Sequence, residues 1–441
     1  MMKKLFLPID NAPLILFRIF FGVLLSCEAF GAILSGWVKN NFILPKFTFS
    51  YIGFEWLQPL PGNGMYFYFA IMGLFGVLVA LGYRYRLSMF IYTMLWMGAY
   101  LMQKSSYNNH YYLVLLICLI MNFLPANVWL SLDAKRNLTI KSSQMPQWCA
   151  WIMIFQIAIV YFFAALSKLY VGWLDGSFIN LAFHHSPYFK YASAVLGEQW
   201  FQLFIAYGGF GFDLLIVPLL LWKKSRTPAL ISCLIFHLFN AVFFQIGIFP
   251  FLALSFVIFF YPSESIRKVF FPKKACIPAN AAIVANTTMV YYFFIPYFLL
   301  QLALPIRHYF VKGDVTWTEE GHRLSWRMML RMRTGHTEYR VIDKHSGQAE
   351  IYDYRKKLTT KQCYFVQSKP DGIWQMAHFI KHEYALNGKD VSVFVDCMVA
   401  INGENYKRFI DPEIDISEAK WDYFSHNDWI LLYDADGNLI Q

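Results

Sequence analysis

Long apolar stretches fill the first two thirds of the sequence and restrict what the chain can fold into. A helix that crosses the hydrocarbon core of a membrane needs about 20 predominantly apolar residues. Only 15% of the 441 residues are charged, whereas soluble domains contain about 25%. The sequence therefore predicts a multi-span α-helical membrane protein with about nine transmembrane helices. The nine apolar stretches cover residues 12–37, 65–82, 87–103, 111–130, 148–167, 201–222, 228–247, 249–261 and 289–305.

The acidic residues are concentrated near the C-terminal end. Twenty of the 28 Asp and Glu residues lie after residue 305. This shift predicts a transmembrane helical domain at 1–305 and a second domain at 306–441. In the second domain, "EYRVIDKHSGQAEIYDY" and "VSVFVDCMVAING" alternate apolar and polar residues, which is typical of short antiparallel strands. "DGIWQMAHFIKHEYALNG" has the spacing of one amphipathic helix, so we expect an α+β, mostly β, domain.

The basic residues of the loops indicate the orientation in the membrane. Alternate loops contain 14 and five Lys or Arg residues, and the N-terminus lies on the richer side. Because cations stay on the cytoplasmic side, we expect a cytoplasmic N-terminus and an extracytoplasmic C-terminal domain. The glycosylation sequons at Asn137 and Asn286 fall on the predicted cytoplasmic side. This favours a bacterial inner membrane with a periplasmic domain over the endoplasmic reticulum membrane of a eukaryote.

Polar residues at or inside the apolar stretches are candidate functional residues, because they are costly in a membrane without a partner. "SSYNNHYYL" places Asn109 and His110 on the predicted outer side. In "VYFFAALSKLYVGWLDG", Lys168 is followed by apolar and aromatic residues rather than by a polar loop. Such surroundings favour a neutral amine, which can act as a general base. The alternative is that Lys168 lays its stem on apolar surface and extends its ammonium into water.

Three further polar residues lie within apolar stretches. Asp213 is expected either to pair with a cation or to accept a hydrogen bond at a helix end. His237 and Asn240 are three residues apart, which places both side chains on one helix face. They form either part of a site or a buried structural pair.

The seven cysteines do not suggest a metal site, because none forms a CxxC motif and no HExxH motif occurs. Two of them, Cys363 and Cys397, lie in the C-terminal domain. A disulfide between them stays open, since bridging depends on a Cα separation that the sequence does not give. No phosphate-binding glycine loop and no nucleic-acid partner are expected.

Several ordered motifs resemble the vitamin K-dependent γ-glutamyl carboxylase family and its wider group of HTTM membrane-domain relatives. "SSYNNHYYL" resembles that family's Trp/Tyr-Asn-Asn-His-x-Tyr-Leu stretch. "YFFAALSKLYVGWLDG" is similar to the stretch that carries the catalytic lysine. "LQPLPGNGMYFY", "FHLFNAVFFQIGIFPFLAL", "LSWRMMLRMRTGH" and "RFIDPEIDISEAKW" also match. The resemblance covers about residues 12 to 430.

The resemblance implies a lyase with quinol epoxidase activity. In the family, an amine base deprotonates reduced vitamin K, and O2 then gives a strong base and finally the 2,3-epoxide. The strong base removes a γ-proton from a glutamate, and CO2 adds to give γ-carboxyglutamate. The implied cofactors are vitamin K hydroquinone (reduced menaquinone or phylloquinone), O2 and CO2, without a metal. The implied partners are membrane lipid, the quinol and a secreted Glu-containing peptide or protein.

The resemblance also carries residue roles over to this chain. Lys168 would be the base, and Asn109 and His110 would orient the quinol oxygens or the developing oxyanion. Arg333 would pair with a glutamate carboxylate or a carbonate-like species; its alternative is a surface arginine on a strand. The weaker candidates that would complete the cofactor cavity with Arg333 are His237, Asn240 and Met328.

Two other classes of function remain open. One is a quinol epoxidase or oxygenase that does not carboxylate protein. The other is a non-enzymatic membrane scaffold or transporter of the same fold. No inverted repeat is visible in the sequence, which argues against a transporter. The scaffold hypothesis is weakened by the presence of Asn109, His110 and Lys168.

Overall fold

A computed structural model of the chain describes residues 2–186, 189–243, 247–276, 287–328, 330–434 and 436–440. Helices occupy all nine predicted apolar stretches, because an apolar segment in a membrane must satisfy its backbone groups internally. Residues 244–246, at the end of the stretch 228–247, and the sequon residue Asn286 lie outside the described residues. The helices are α1 (Ala12–Leu34), α2 (Gly64–Leu81), α3 (Tyr85–Met102), α4 (Asn109–Met121), α5 (Trp148–Leu166), α6 (Gln199–Leu221), α7 (Arg226–Phe243), α8 (Phe249–Phe260), α9 (Ser263–Phe270) and α10 (Thr287–Phe310).

Six of these helices are long and apolar enough to cross a membrane, fewer than the nine predicted. They are α1, α2, α5, α6, α7 and α10. Helices α8 and α9 add a seventh span if they count as one, but the pair is bent by 114°. Helix α4 has only 13 residues, or about 20 Å at 1.5 Å per residue. It ends before Pro125, since proline disfavours helical conformation in the residue that precedes it.

Helices α1 and α2 pack with their backbones in close contact. A Cβ atom added at Gly76 would lie 2.7 Å from the backbone nitrogen of Ser26. Gly22 on α1 faces the backbone of Ala80 on α2 in the same way. Small residues permit this approach, and van der Waals packing then holds the two membrane helices together.

A short ribbon ties the N-terminus to α9. Strand β1 (Pro8–Asp10) pairs antiparallel with β2 (Gln144–Pro146). The carboxylate of Asp10 is buried and forms ion pairs with Arg267 on α9 and with Lys274. These contacts fix the start of α1 against the segment that follows α8.

The C-terminal part of the chain forms a four-stranded antiparallel sheet with two helices. The strand order is β4 (Ala349–Ile351), β3 (Arg333–Asp343), β5 (Val391–Ile401), β6 (Lys407–Arg408). Helices α11 (Thr360–Ser368) and α12 (Pro370–Leu386) pack on β3 and β5.

The strands and the amphipathic helix form where their sequence patterns predict them. The description "mostly β" is wrong, however. Helices α11 and α12, of 9 and 17 residues, stand beside β3 and β5, of 11 residues each. The helices cover a single sheet, because α12 supplies the apolar face that buries the inward side chains of β5.

The cysteines of the sheet region are free thiols. Cys363 is half-buried, and Cys397 is buried beneath the hydroxyl of Thr337, which lies 3.1 Å from its Sγ atom. The disulfide that the sequence left open does not form in this structure.

A buried group of three charges joins the membrane part to the sheet region. Asp371 at the start of α12 lies 2.7 Å from Lys104, between α3 and α4, and 2.6 Å from Arg323. Lys104 and Asp371 are almost completely buried. We call Lys104, Arg323 and Asp371 the interface triad; it fixes the sheet region beside the start of α4, where Asn109 and His110 lie.

Candidate functional site

Lys168 lies two residues beyond the end of α5, with its ammonium buried in the protein. Its Nζ atom is 2.5 Å from Oδ2 of Asp213 on α6 and 3.2 Å from the carbonyl oxygen of Ala164. The same atom lies 5.1 Å from the ring centroid of Trp173. Because Lys168 is only 6% exposed, its ammonium does not extend into water. Of the two alternatives for Asp213, pairing with a cation is the one observed.

The ion pair has a chemical consequence for Lys168. A buried ammonium is unfavourable unless a counter-ion and hydrogen bonds compensate it. Asp213 provides that charge, and the carbonyl of Ala164 accepts a further hydrogen bond. The ammonium form of Lys168 is therefore compensated inside the protein.

His237 is fully buried on α7. Its Nε2 atom lies 2.8 Å from the hydroxyl of Tyr161 on α5. Its Nδ1 atom is buried and has no hydrogen-bond partner among the described residues. The ring of Phe212, the residue before Asp213, lies 5.8 Å from His237. Helix α6 thus carries Asp213, which pairs with Lys168, directly after Phe212, which contacts His237.

Asn240 follows His237 by one helical turn. It is half-buried, and none of the described residues hydrogen-bonds to its side chain. Tyr161 holds His237 instead, and the sequence reasoning did not select that tyrosine. The signal for it was weak, since one tyrosine among many aromatic residues does not stand out.

Phe249 on α8 lies between the two membrane histidines. Its ring centroid is 6.3 Å from that of His110 and 5.9 Å from that of His237. A Cβ atom added at Gly247 would lie 3.6 Å from Nε2 of His110. Phe249 thus connects the two histidines. Helix α6 connects His237 to Lys168, because Phe212 and Asp213 follow each other on it.

The amide of Asn109 is held by protein groups on both of its ends. Its Oδ1 atom accepts a hydrogen bond from the hydroxyl of Tyr107 at 2.9 Å, and its Nδ2 donates to the carbonyl of Arg327 at 3.1 Å. The Tyr107 oxygen also accepts the backbone N–H of Leu324 at 2.9 Å. Since the amide group has two N–H bonds, one remains for a ligand. The preceding residue, Asn108, caps α4 instead.

Residues 324–333, which we call the bridging segment, contact both membrane motifs. At one end, Leu324 and Arg327 bond to Tyr107 and Asn109 as described. At the other end, the hydroxyl of Tyr170, two residues after Lys168, donates to the carbonyl of Leu330. Residue 329 lies outside the described residues. The segment thus joins the surroundings of Lys168 to those of Asn109.

Met328 and Arg333 lie in different surroundings. Met328 is half-buried and packs against the membrane core. Arg333 begins β3 and donates to the carbonyls of Ser368 and Trp317, each at 2.6 Å. Its guanidinium lies 4.3 Å from the ring centroid of Phe409. Burial lowers the pKa of Arg333 to about 10, so it is not a free surface arginine but remains charged at neutral pH.

A cavity of about 400 Å³ lies beside the bridging segment, and we call it the cationic cavity. Glu319 forms ion pairs with two of its cations, Arg331 and Lys369. The sequence did not indicate this cavity, because its cations come from two separate parts of the chain, residues 327–333 and 361–369. The one available signal was the run "WRMMLRMR". The cationic residues lining the cavity are Arg327, Arg331, Arg333, Lys361 and Lys369.

An aromatic cavity near α4 is too small for a quinol. Its linings include Glu28, Trp37, Trp96 and Tyr111, and its volume is about 30 Å³. Such a volume holds about one water molecule. Within the described ranges, no group of three or more His, Cys, Asp or Glu residues could hold a metal ion.

Two protein-family models match the chain in sequence order. Residues 6–264 match the HTTM domain. Residues 286–436 match the vitamin K-dependent gamma-carboxylase, lumenal domain. The first match alone covers more than half of the 441 residues. No solved structure matches the chain.

Proposed function

Because the chain belongs to the vitamin K-dependent gamma-carboxylase family of the HTTM group, we propose that it is a vitamin K hydroquinone-dependent carboxylase and epoxidase. It is an integral membrane protein, with several apolar helices and the HTTM domain. The proposed product is γ-carboxyglutamate in a secreted peptide or protein. The observation that carries the proposal is the buried pair of Lys168 and Asp213.

The two proton transfers of this reaction differ greatly in difficulty. An amine can accept a proton from a phenolic hydroxyl, whose ordinary pKa is about 10, whereas a glutamate γ-carbon is far too weakly acidic for any side chain. Reduced vitamin K, on reaction with O2, supplies the stronger base that the second transfer needs. In its neutral form Lys168 would accept the first proton at Nζ, and Asp213 would compensate the ammonium that forms. The apolar surroundings exclude water that would quench the strong base.

Neutral donors suit the orientation of the quinol oxygens. Asn109 keeps one N–H for a ligand, and its other contacts fix its position. His110 contributes an imidazole near Phe249. His237 has an unpaired buried Nδ1 atom that a ligand oxygen would satisfy. Preorganised donors of this kind stabilise negative charge as it develops in the transition state.

The cationic cavity is the proposed site of the glutamate carboxylate. Arg333 is the candidate partner there, since guanidinium groups bind carboxylates through two parallel hydrogen bonds. The carbonyl of Leu330, which lines this cavity, accepts a hydrogen bond from Tyr170. These contacts support a carboxylate site close to the surroundings of the proposed base.

Topology and location belong to the same proposal. The loop charges support a cytoplasmic N-terminus and a periplasmic sheet region in a bacterial inner membrane. The proposal keeps a domain boundary near residue 306, with the quinol site in residues 1–305. A C-terminal alkaline phosphatase fusion that is inactive in a bacterial host, beside an active cytoplasmic reporter, would contradict this orientation.

The test measures the two half-reactions separately. Purified protein is incubated with vitamin K hydroquinone, O2 and labelled CO2, with and without a glutamate peptide, and epoxide and fixed label are determined. We expect both products from the wild type, and none from Lys168→Ala. The control Lys39→Ala removes an exposed lysine after α1 and should retain activity.

The pattern of products distinguishes the carboxylase from the epoxidase and from the membrane scaffold. Epoxide without fixed label would favour the epoxidase alternative, and the absence of both products would favour a membrane scaffold. Epoxide formation at the wild-type rate in Lys168→Ala would show that another group is the base.

A further inference from the structure

The cationic cavity carries more positive charge than one carboxylate requires. Five cations line it, and the one carboxylate paired with them is that of Glu319, which contacts Arg331 and Lys369. Among the residues that the structure describes, no carboxylate lies within ion-pair distance of Arg327, Arg333 or Lys361. Lys361 instead donates to the side chains of Asn41 and Ser106. The cavity thus has cations without counter-ions in a partly buried position.

Two of these cations also have buried donors without acceptors. The Nε atom of Arg327 and the Nη2 atom of Arg333 are buried and make no hydrogen bond within the described part of the chain. An unsatisfied buried donor costs about 1–3 kcal/mol, and more when it is charged. Two guanidinium groups that line one cavity without a carboxylate partner among the described residues match a ligand that presents two carboxylates.

We propose that the cationic cavity selects a side chain with two neighbouring carboxylates over a side chain with one. This inference rests on the proposed function and names the charge state that the cavity favours. Loss of the γ-proton leaves an electron pair on carbon, which forms the new C–C bond to CO2, while the proton leaves with the strong base. A monoanionic side chain therefore becomes a dianion. A cavity that holds the dianion more tightly stabilises the reacting state more than the bound substrate.

Lys369 adds a proton-linked contribution to this selectivity. Burial and the charges of Arg331 and Arg333 lower the pKa of Lys369 to about 7, although Glu319 opposes them. Burial and Arg331 also hold the pKa of His322, on the same wall, well below its usual value, so His322 is neutral. At pH 7.5 Lys369 is therefore only partly protonated, and a bound dianion would favour its ammonium. Binding should take up protons.

The experiment compares two small probes that differ by one carboxylate. Ethylmalonate and butyrate are titrated into the full-length protein in detergent at pH 7.5 and low salt, without quinol or O2, by isothermal calorimetry. We expect ethylmalonate to bind at least tenfold more tightly than butyrate. Titrations in Tris and in HEPES, whose ionisation heats differ, should reveal the proton uptake. Binding within threefold for the two probes would overturn the proposal.

Variants connect the selectivity to the cavity. Arg327→Gln should reduce the preference for ethylmalonate, and Lys369→Met should remove the proton uptake. The matched control is Arg408→Gln, because Arg408 is an exposed arginine of the same sheet and pairs with Asp396. An undiminished preference in Arg327→Gln would overturn the assignment to this cavity. The wild-type comparison needs no variant, so a variant that fails to fold leaves the test intact.

The outcomes separate this inference from the proposed function. The calorimetry needs no catalysis, whereas the product assay needs no free dicarboxylate. Carboxylation without the ethylmalonate preference would overturn the inference and leave the proposed function standing. The preference without carboxylation would support the cavity's selectivity and contradict the proposed function.

Discussion

Removing either member of the Lys168–Asp213 pair leaves the other charge buried. The two side chains are 8% and 7% exposed, with 2.5 Å between Nζ and Oδ2. Breaking a buried ion pair by deleting one partner costs about 3–5 kcal/mol, because the remaining charge loses its compensation. We therefore expect a loss of about 3–5 kcal/mol in the free energy of unfolding for Asp213→Asn and for Lys168→Met.

The double variant distinguishes this cost from a simple loss of packing. When both charges are removed, no bare charge remains, so the double variant should be more stable than either single variant. The coupling energy of the double-mutant cycle should then be about 3 kcal/mol or more, above the usual range for exposed contacts. The activity of Lys168→Ala must therefore be measured together with its stability, since that variant also leaves the buried carboxylate of Asp213 without a counter-ion.

Unfolding in mixed micelles with increasing SDS, followed by tryptophan fluorescence, gives the four free energies. The control cycle uses Lys344 and Glu418, an ion pair at 3.1 Å whose side chains are 35% and 57% exposed. That pair should contribute less than about 1 kcal/mol. If Asp213→Asn costs under about 1 kcal/mol and its effect adds to that of Lys168→Met, the buried pair described here is refuted.

Three other outcomes test separate parts of the structure. His110→Ala should lower the rate of epoxide formation by about 10²–10³ with little change in thermal stability, as for a lost oxyanion donor. Asn109→Asp should be less active than Asn109→Ala, because a carboxylate repels the quinolate. Equal activity of the two Asn109 variants would contradict an electrostatic role. Burial raises the pKa of Asp371, but the two cations of the interface triad hold this pKa well below its usual value. The stability that the triad contributes is therefore complete above about pH 4 and is lost as the pH falls further. Limited proteolysis at a series of pH values should show the sheet region opening in acid, and in Asp371→Asn the sheet region should be more easily cleaved already at neutral pH. Gly76→Val should destabilise the α1–α2 contact, whereas Gly31→Val, where an added Cβ meets no atom within 4 Å, should not; equal unfolding free energies would show that the close approach is unimportant.

The sequence predicted the positions of the membrane helices better than their lengths. Apolar runs locate helices because lipid and protein core both demand them, but a run does not reveal where tertiary contacts end the helix. The stretch 111–130 contains Pro125, and α4 stops at Met121. The stretch 249–261 contains Pro250 near its start. It forms one arm of a 114° bend, because Pro262 separates it from α9.

The candidate site was predicted only where chemistry is concentrated in short motifs. Asn109, His110 and Lys168 stand out because each is polar within apolar sequence. The partners of these residues do not stand out in this way. The carbonyl of Arg327, which holds Asn109, is a backbone group that any residue provides. The cations of the interface triad and the cationic cavity come from distant parts of the chain, and only the folded structure brings them together.

The bridging segment contacts both halves of the candidate site, so any coupling between them must be reciprocal. It bonds to Tyr107 and Asn109 on one side and to Tyr170 on the other, while Arg327 and Arg333 line the cationic cavity. If an anion in that cavity shifts the segment and changes the affinity for quinol by some factor, quinol must change the affinity for the anion by the same factor. Each ligand would then report on the occupancy of the other, and the sign of the coupling would be the same in both directions.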